Sequence, residues 1–144
     1  MRYRINYHQL PNGSIEASCP DVPEFFCVQP SIEKTRREIL RALPAAMHKF
    51  YRKKRLPIPL PAAGKSDDRV ALPVRIQAKI LLWNMMLAER WRLADIAREL
   101  HIAQAQAQRL VDLDRDLASM EAIEQALDVM GAEFTLRITR NTKR

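Results

Sequence analysis

The chain has few residues of the kinds that form disulfides, bind metals or span membranes. Its 144 residues include two cysteines, Cys19 and Cys27, too few for a disulfide framework and without metal-ligand spacing. Its longest apolar stretches, such as Ile80–Trp83, fall far short of the roughly 20 residues that a membrane span requires. No apolar block of signal-peptide length opens the chain. We therefore expect a reduced, cytoplasmic protein with no membrane partner.

Complete catalytic and metal-binding motifs are also lacking. Asp112, Asp114 and Asp116 have the spacing that opens a calcium loop, but Leu117 and Ile123 stand where that loop requires Gly and a bidentate Glu. Gly64-Lys65-Ser66 resembles the end of a phosphate-binding loop without its first Gly or a preceding strand. The histidines are isolated from one another: His8, His48 and His101. We predict no enzymatic activity, no cofactor and no metal site.

Positive charge is in excess and unevenly distributed. The chain has 24 Lys and Arg against 17 Asp and Glu, a net charge of +7. Residues 1–64 carry 11 basic and 5 acidic side chains, whereas residues 65–144 carry 13 and 12. The densest cluster is Lys49–Arg55, here called the basic run. The excess favours a polyanionic partner, although such a run is also typical of a solvated helix end, where cations oppose the helix dipole.

Proline divides the chain into two parts. Leu56–Pro61 places three prolines at alternate positions, which forces an extended backbone because proline fixes φ and lacks an amide donor. The sequence before this segment reads as β-rich and the sequence after it as helical. We therefore predict an N-terminal domain over residues 1–61, a linker over 62–71 and a C-terminal domain over 72–144.

The first part has the pattern of a small sheet followed by a helix. Apolar residues alternate with polar ones over Met1–Cys19, with a turn at Pro11–Gly13, which predicts a β-hairpin. Phe25–Val28 predicts a third short strand. Ser31 is a good N-cap for a helix that continues towards Phe50, with Pro44 expected to kink or break it.

The second part is predicted to be helical with one terminal strand, which makes the whole chain α+β. Apolar periodicity and capping residues predict helices over 74–90, 93–100 and 103–113, and a fourth between Ser119 and Gly131. Phe134, Leu136 and Ile138 then alternate with polar residues as a strand. Because a lone strand needs a partner, we predict that these three residues dimerise with a twofold-related copy.

The second and third of these helices have the pattern of a helix-turn-helix. Ala97 supplies the small residue where the helices cross, and His101 stands at the turn position usually held by Gly. Gln side chains pair with adenine and Arg with guanine in the major groove, and the outer face of the third helix carries both, together with Asp112. The predicted base contacts are Gln104, Gln106, Gln108 and Arg109, and the predicted phosphate contacts are Arg92 and Arg98.

The order of these motifs resembles the HicB family of antitoxins, the partners of small HicA ribonuclease toxins. Met1-Arg2-Tyr3, Pro11-Asn12-Gly13 and Pro20-Asp21-Val22-Pro23-Glu24 match the first hairpin and PDxP loop of that family. Leu72-Pro73-Val74 and the helix-turn-helix that follows are similar to its branch with a DNA-binding tail. The resemblance implies a catalytically inactive, partial RNase H-like N-terminal fold that binds a HicA-like toxin and blocks its cleavage of messenger RNA. It further implies a dimer or tetramer that binds operator DNA and represses its own operon.

Two other functions remain compatible with the residues. One is a stand-alone transcription regulator whose N-terminal unit oligomerises or senses a ligand. The other is a nucleic-acid enzyme or RNA-binding module that uses the basic run as its track. Operator binding unaffected by a neighbouring protein would indicate the first, and a metal-dependent nuclease activity lost on Asp21→Asn would indicate the second.

Overall fold

The computed structural model describes residues 1–64, 68–115 and 117–140. The chain is α+β, as predicted. Its strands are β1 (Arg2–Arg4), β2 (Asn6–Gln9), β3 (Ile15–Cys19), β4 (Val22–Gln29) and β5 (Arg69–Ala71). Its helices are α1 (Ile32–Met47), a π-helical turn (His48–Arg52), α2 (Val74–Ala88), α3 (Leu93–Leu100), α4 (Gln104–Arg109) and α5 (Met120–Val129).

β2, β3 and β4 form an antiparallel sheet in chain order. Ala17 in β3 pairs with Tyr7 in β2 and Cys27 in β4, so alternate residues of each strand share a face. α1 packs against β3 and β4 and buries one face, including Ala17 and Phe25. Phe26 lies on the opposite face and is 69% exposed.

The predicted hairpin over Met1–Cys19 is wrong in its first strand. The backbone turns away from the sheet at Ile5, and β1 pairs antiparallel with β5 instead, with Tyr3 opposite Val70. β5 occupies residues 69–71, at the end of the segment that the sequence assigned to a linker. Local periodicity identifies β1 as a strand but carries no information about which distant segment supplies its hydrogen bonds.

α1 begins where the sequence predicted and continues through Pro44 to Met47. The Ser31 side chain accepts a hydrogen bond from the Lys34 amide at 3.3 Å, which confirms it as the N-cap. Pro44 does not end α1. It is buried within the helix, which passes into the π-helical turn after Met47. The expected break at Pro44 is therefore wrong.

The proline-rich segment is fixed against α2 by side chains that bond its backbone. The Trp83 indole donates to the Leu56 carbonyl at 3.0 Å. The Asn84 side chain accepts from the Ile58 N–H through Oδ1 at 2.8 Å and donates to the Ile58 carbonyl through Nδ2 at 2.9 Å. The Tyr3 hydroxyl donates to the Pro59 carbonyl at 2.7 Å. The segment thus takes part in the core, where Ile58 is 1% exposed.

The helices after the proline-rich segment follow the predicted pattern with one shortening. α2 packs on α5, and α3 packs on α4 and α5. α3 has its predicted bounds, and the Ser119 side chain caps α5 by accepting from the Ala122 amide at 3.1 Å. α4 ends at Arg109 rather than Leu113, since the chain turns inward there to bury Leu110, Val111 and Leu113.

Residues 132–140 form no strand in the single chain. Phe134 packs against the core, whereas Leu136 is 79% exposed and Ile138 is 99% exposed. The predicted terminal strand is therefore absent from the monomer, which offers this segment no ladder of hydrogen-bonding partners. In the described part of the chain no helix has the length and apolar character needed to cross a membrane.

Candidate nucleic-acid interface

α3 is held at its start by an acid that caps the helix. The Arg92 N–H donates to Asp95 Oδ2 at 2.9 Å, and the Arg98 guanidinium donates to Asp95 Oδ1 at 3.1 Å. The hydrogen bond from the Arg92 amide, supported by Arg98, lowers the pKa of Asp95 and keeps its carboxylate charged. Both arginines are exposed, as phosphate contacts would need to be, but Arg98 already has an anionic partner.

The turn between α3 and α4 is formed by a left-handed residue. His101 has φ 55° and ψ 44°, and the Ile102 amide bonds back to the Ala97 carbonyl at 3.0 Å. Left-handed backbone is unusual outside Gly, although His adopts it more readily than most residues. Its side chain is exposed, so no packing requirement fixes the residue type.

α4 presents an exposed face of glutamine and arginine. Ala107 is buried, whereas all four predicted base-contacting residues are exposed: Gln104, Gln106, Gln108 and Arg109. Gln106 also has a local role, because its Oε1 accepts from the Ala103 amide at 3.1 Å and so caps the helix. The neighbouring alanines at 103 and 105 are exposed as well, and their short side chains do not obstruct close approach of a ligand to this face. Small neighbours and amide side chains suit entry into a DNA groove.

Asp112 does not face outward as the sequence suggested. Its Oδ1 accepts from the amides of Asp114 at 2.9 Å and Arg115 at 3.0 Å, which forms a tight turn after α4. The helix has ended by this point, so the helical-wheel position assigned to Asp112 does not apply. The carboxylate stabilises the loop between α4 and α5, and the prediction of an outward position is wrong.

A buried lysine holds the same loop from the side of α2. Lys79 is 0% exposed, and its ammonium donates to the carbonyls of Asp112 at 2.9 Å and Arg115 at 3.1 Å. Sequence reasoning missed this contact. The available signal was a single cation within an otherwise apolar stretch, a position that lysine occupies only when its charge is satisfied.

His48 connects the π-helical turn to the exit of α4. Its Nδ1 accepts from the Leu113 amide at 3.2 Å and lies 3.8 Å from Asp112 Oδ1. An Nδ1 that accepts must be unprotonated, so the ring is neutral with its proton on Nε2. Burial lowers the pKa of His48, with Arg52 and Lys53 acting in the same direction and Asp112 and Asp114 opposing it.

The residues described include no group of three or more His, Cys, Asp or Glu that could hold a metal ion. Asp112, the first residue of the incomplete calcium-loop spacing in the sequence, binds backbone amides.

We expect His48 to make stability pH-dependent. Folding lowers the pKa of His48 from its ordinary value of 6.5. The contribution of His48 to the free energy of unfolding is therefore fully present above pH 6.5 and is lost as the pH falls below that value. The thermal midpoint of the wild-type chain should fall between about pH 7.5 and about pH 5. His48→Asn, whose side-chain oxygen can accept the Leu113 hydrogen bond without titrating, should flatten this decline. The exposed control His8→Asn should retain it; an equal decline in all three proteins would contradict the assignment.

Comparison with known proteins places the chain in a family. No protein-family model matches it. Antitoxin HicB of Pseudomonas fluorescens is 31% identical over 138 residues, which cover 94% of this chain and 92% of that protein. Antitoxin HicB 2 of Photorhabdus laumondii is 32% identical over 136 residues, covering 94% and 95%. Antitoxin HicB 1 of the same organism is 26% identical over 138 residues, covering 96% and 87%. These identities extend over nearly the whole length of each protein, and the chain belongs to the HicB family of antitoxins.

Proposed function

We propose that this protein is a non-catalytic antitoxin that neutralises a HicA-like, mRNA-cleaving toxin by direct binding and represses its own operon. In this proposal residues 1–61 bind the toxin, and the domain over 72–144 binds operator DNA as a dimer. The DNA-binding role rests on one observation: α4 carries an exposed Gln and Arg face on an alanine-rich helix that is packed against α3 through a tight turn.

The base-reading role of α4 is tested by removing Arg109. Arg pairs bidentately with guanine, and each such pair contributes about 1–3 kcal/mol of discrimination. Arg109→Ala should therefore weaken binding to the DNA upstream of the chain's own reading frame by about tenfold or more, while binding to unrelated DNA changes little. Gel shifts with both probes measure this ratio.

Arg4→Ala serves as the matched control, because Arg4 is also an exposed arginine but lies on β1. It should bind the upstream DNA as the wild type does. If Arg109→Ala binds the upstream DNA with the same affinity as the wild type, Arg109 does not contact bases.

Dimerisation through the terminal segment follows from its exposed apolar residues. In an extended strand Leu136 and Ile138 would share one face, and pairing with a second copy would both bury these two exposed side chains and satisfy their backbone groups. Phe134, which packs on the core, would anchor the start of that segment. Two linked subunits also compensate for the low net charge of one DNA-binding domain.

The Leu136→Lys/Ile138→Lys double variant should be monomeric by analytical ultracentrifugation and should bind the upstream DNA more weakly, since both apolar side chains that pairing would bury are lost and ammonium groups stand in their place. The Thr135→Lys/Thr139→Lys variant places the same charges on the other face of the segment and should remain dimeric. Monomers in both variants, or dimers in both, would contradict pairing through this face.

The open face of the sheet is the proposed toxin-binding surface. The strand register places Asn6, Ser18 and Phe26 in one row across it, and His8, Glu16 and Val28 in the next. This face is exposed and partly apolar, with Phe26 as its largest side chain. The opposite side of the domain carries exposed Lys34, Arg36, Arg37 and Arg41 on α1. A toxin that cleaves RNA needs cations for its phosphates, so docking on α1 would juxtapose like charges.

We expect Phe26→Asp to abolish rescue of growth when the toxin-like protein of the neighbouring reading frame is co-expressed. Loss of a buried aromatic contact should weaken the purified complex by at least about tenfold, measured by calorimetry. Binding to the upstream DNA should be unchanged. Leu60→Asp, a substitution at a half-exposed apolar residue outside the sheet, should rescue growth like the wild type. Full rescue by Phe26→Asp would move the toxin-binding surface elsewhere.

A further inference from the structure

The basic run has two sides with different roles. Arg52 is half-buried, with its guanidinium carbon 5.0 Å from the centroid of the Trp83 ring. Lys49, Lys53, Lys54 and Arg55 are exposed. Within residues 1–64, 68–115 and 117–140, none of these four exposed cations forms an ion pair with a carboxylate. As far as the structure describes the chain, the exposed side of the run is therefore a cluster of positive charge without an ion-pair partner.

The backbone under this cluster is firmly held. His48 accepts from Leu113, and the Tyr51 hydroxyl donates to Glu24 Oε2 at 2.6 Å. The Lys53 amide bonds to the His48 carbonyl and the Leu56 amide to the Tyr51 carbonyl, both at 2.9 Å. The inward contacts of the π-helical turn thus fix the backbone that carries its outward cations. Like charges at such close spacing repel one another, and none of the four exposed cations has a carboxylate ion-pair partner among the described residues.

Two of the cations are further ordered by an aromatic ring. The ammonium groups of Lys49 and Lys54 lie 5.2 Å and 5.7 Å from the centroid of Phe50. At these distances the face of an aromatic ring attracts a cation. The contact restricts the two side chains without neutralising them, so their charge remains available to an anionic partner.

The cluster lies beside the exit of α4. Leu113, which donates to His48, is four residues beyond Arg109, the last residue of α4. A helix in the major groove, about 12 Å wide, has a sugar-phosphate backbone on either side, so groups next to the ends of the helix meet phosphates. Asp112, which lies between the two regions, has its Oδ1 occupied by backbone amides of the loop.

The distribution of charge along the chain also favours DNA phosphates as the partner of the basic run. Residues 65–144 carry 13 basic and 12 acidic side chains, a net charge of only +1, whereas residues 1–64 carry +6. Electrostatic affinity for DNA increases with the number of phosphates that cations neutralise. A domain with a net charge of +1 gains little from this term, and the adjacent basic run supplies cations that it lacks.

We propose that the exposed cations of the basic run form a second DNA contact, which binds phosphates flanking the bases read by α4 without regard to sequence. This inference rests on the proposed operator binding and extends it to the N-terminal domain. Lysine suits the role, because a flexible point charge engages a phosphate without demanding a fixed bidentate geometry. Arg52 and His48 serve only to hold the run in position.

The test is the salt dependence of DNA affinity in two variants with the same change of charge. Lys53→Gln/Lys54→Gln alters the basic run, whereas Lys34→Gln/Arg37→Gln removes two exposed cations from α1. Full-length proteins are titrated by fluorescence anisotropy against the DNA upstream of the reading frame and against unrelated DNA. Each phosphate contact contributes about 0.9 to the slope of log affinity against log salt. Removal of two contacts in the basic-run variant should reduce the magnitude of this slope by about 1.8 per bound subunit, and the ratio of specific to non-specific affinity should be unchanged. The α1 variant should have the slope of the wild type.

Each other outcome overturns the inference. Equal loss of slope in both variants would mean that only overall charge matters. An unchanged slope in the basic-run variant, with Arg109→Ala still impaired, would leave the proposed function standing without this contact. Weaker toxin binding with unchanged DNA binding would identify an acidic protein surface as the partner. If the wild-type chain does not bind the upstream DNA, the proposed operator binding and this inference fail together.

Discussion

The attachment of the proline-rich segment to α2 is the constraint on which the arrangement of the molecule depends. Proline has no amide donor and cannot join a regular ladder, so the backbone of residues 56–61 requires partners from side chains. Trp83 and Asn84 provide them from adjacent positions on α2, and Tyr3 reaches the same segment from β1. One helix thereby fixes the proline-rich segment that leads from the sheet and α1 towards the later helices.

Several other contacts follow from this attachment. With Trp83 in place, Arg52 stacks on its ring, and the π-helical turn comes to lie against the loop after α4. β5 leaves the proline-rich segment in a position to pair with β1. The sheet and the helices therefore share one continuous core, which includes Tyr3, Ile58 and Trp83. The sheet, which carries the proposed toxin-binding face, is therefore packed into the same core as the helices that position α4.

Much of the local structure could be predicted from the sequence because local signals specify it. The bounds of α3 and the caps at Ser31 and Ser119 depend on residues within one or two turns. Pairing of β1 with β5 joins residues 67 positions apart, and no periodicity reports such a partner. The helix continues past Pro44 although proline carries a penalty inside a helix, since α1 buries Met47 beyond it.

Part of the candidate site could likewise be predicted from the sequence, and part could not. The exposed face of α4 follows from helical periodicity, so Gln104, Gln108 and Arg109 could be placed on it from sequence. The contacts that orient α4 could not be foreseen, since Asp112 and His48 meet only in the folded chain. The roles of the exposed residues in DNA binding remain predictions.

The burial of Lys79 also couples α2 to the loop after α4. An ammonium group is costly to remove from water unless acceptors are positioned for it, and here the carbonyls of Asp112 and Arg115 serve as acceptors. Opening of that loop would withdraw both carbonyls from the buried ammonium group, so the loop cannot rearrange without a cost at α2. The same loop follows directly on α4, and the position of the proposed DNA-reading helix is therefore linked to the desolvation of a side chain on another helix.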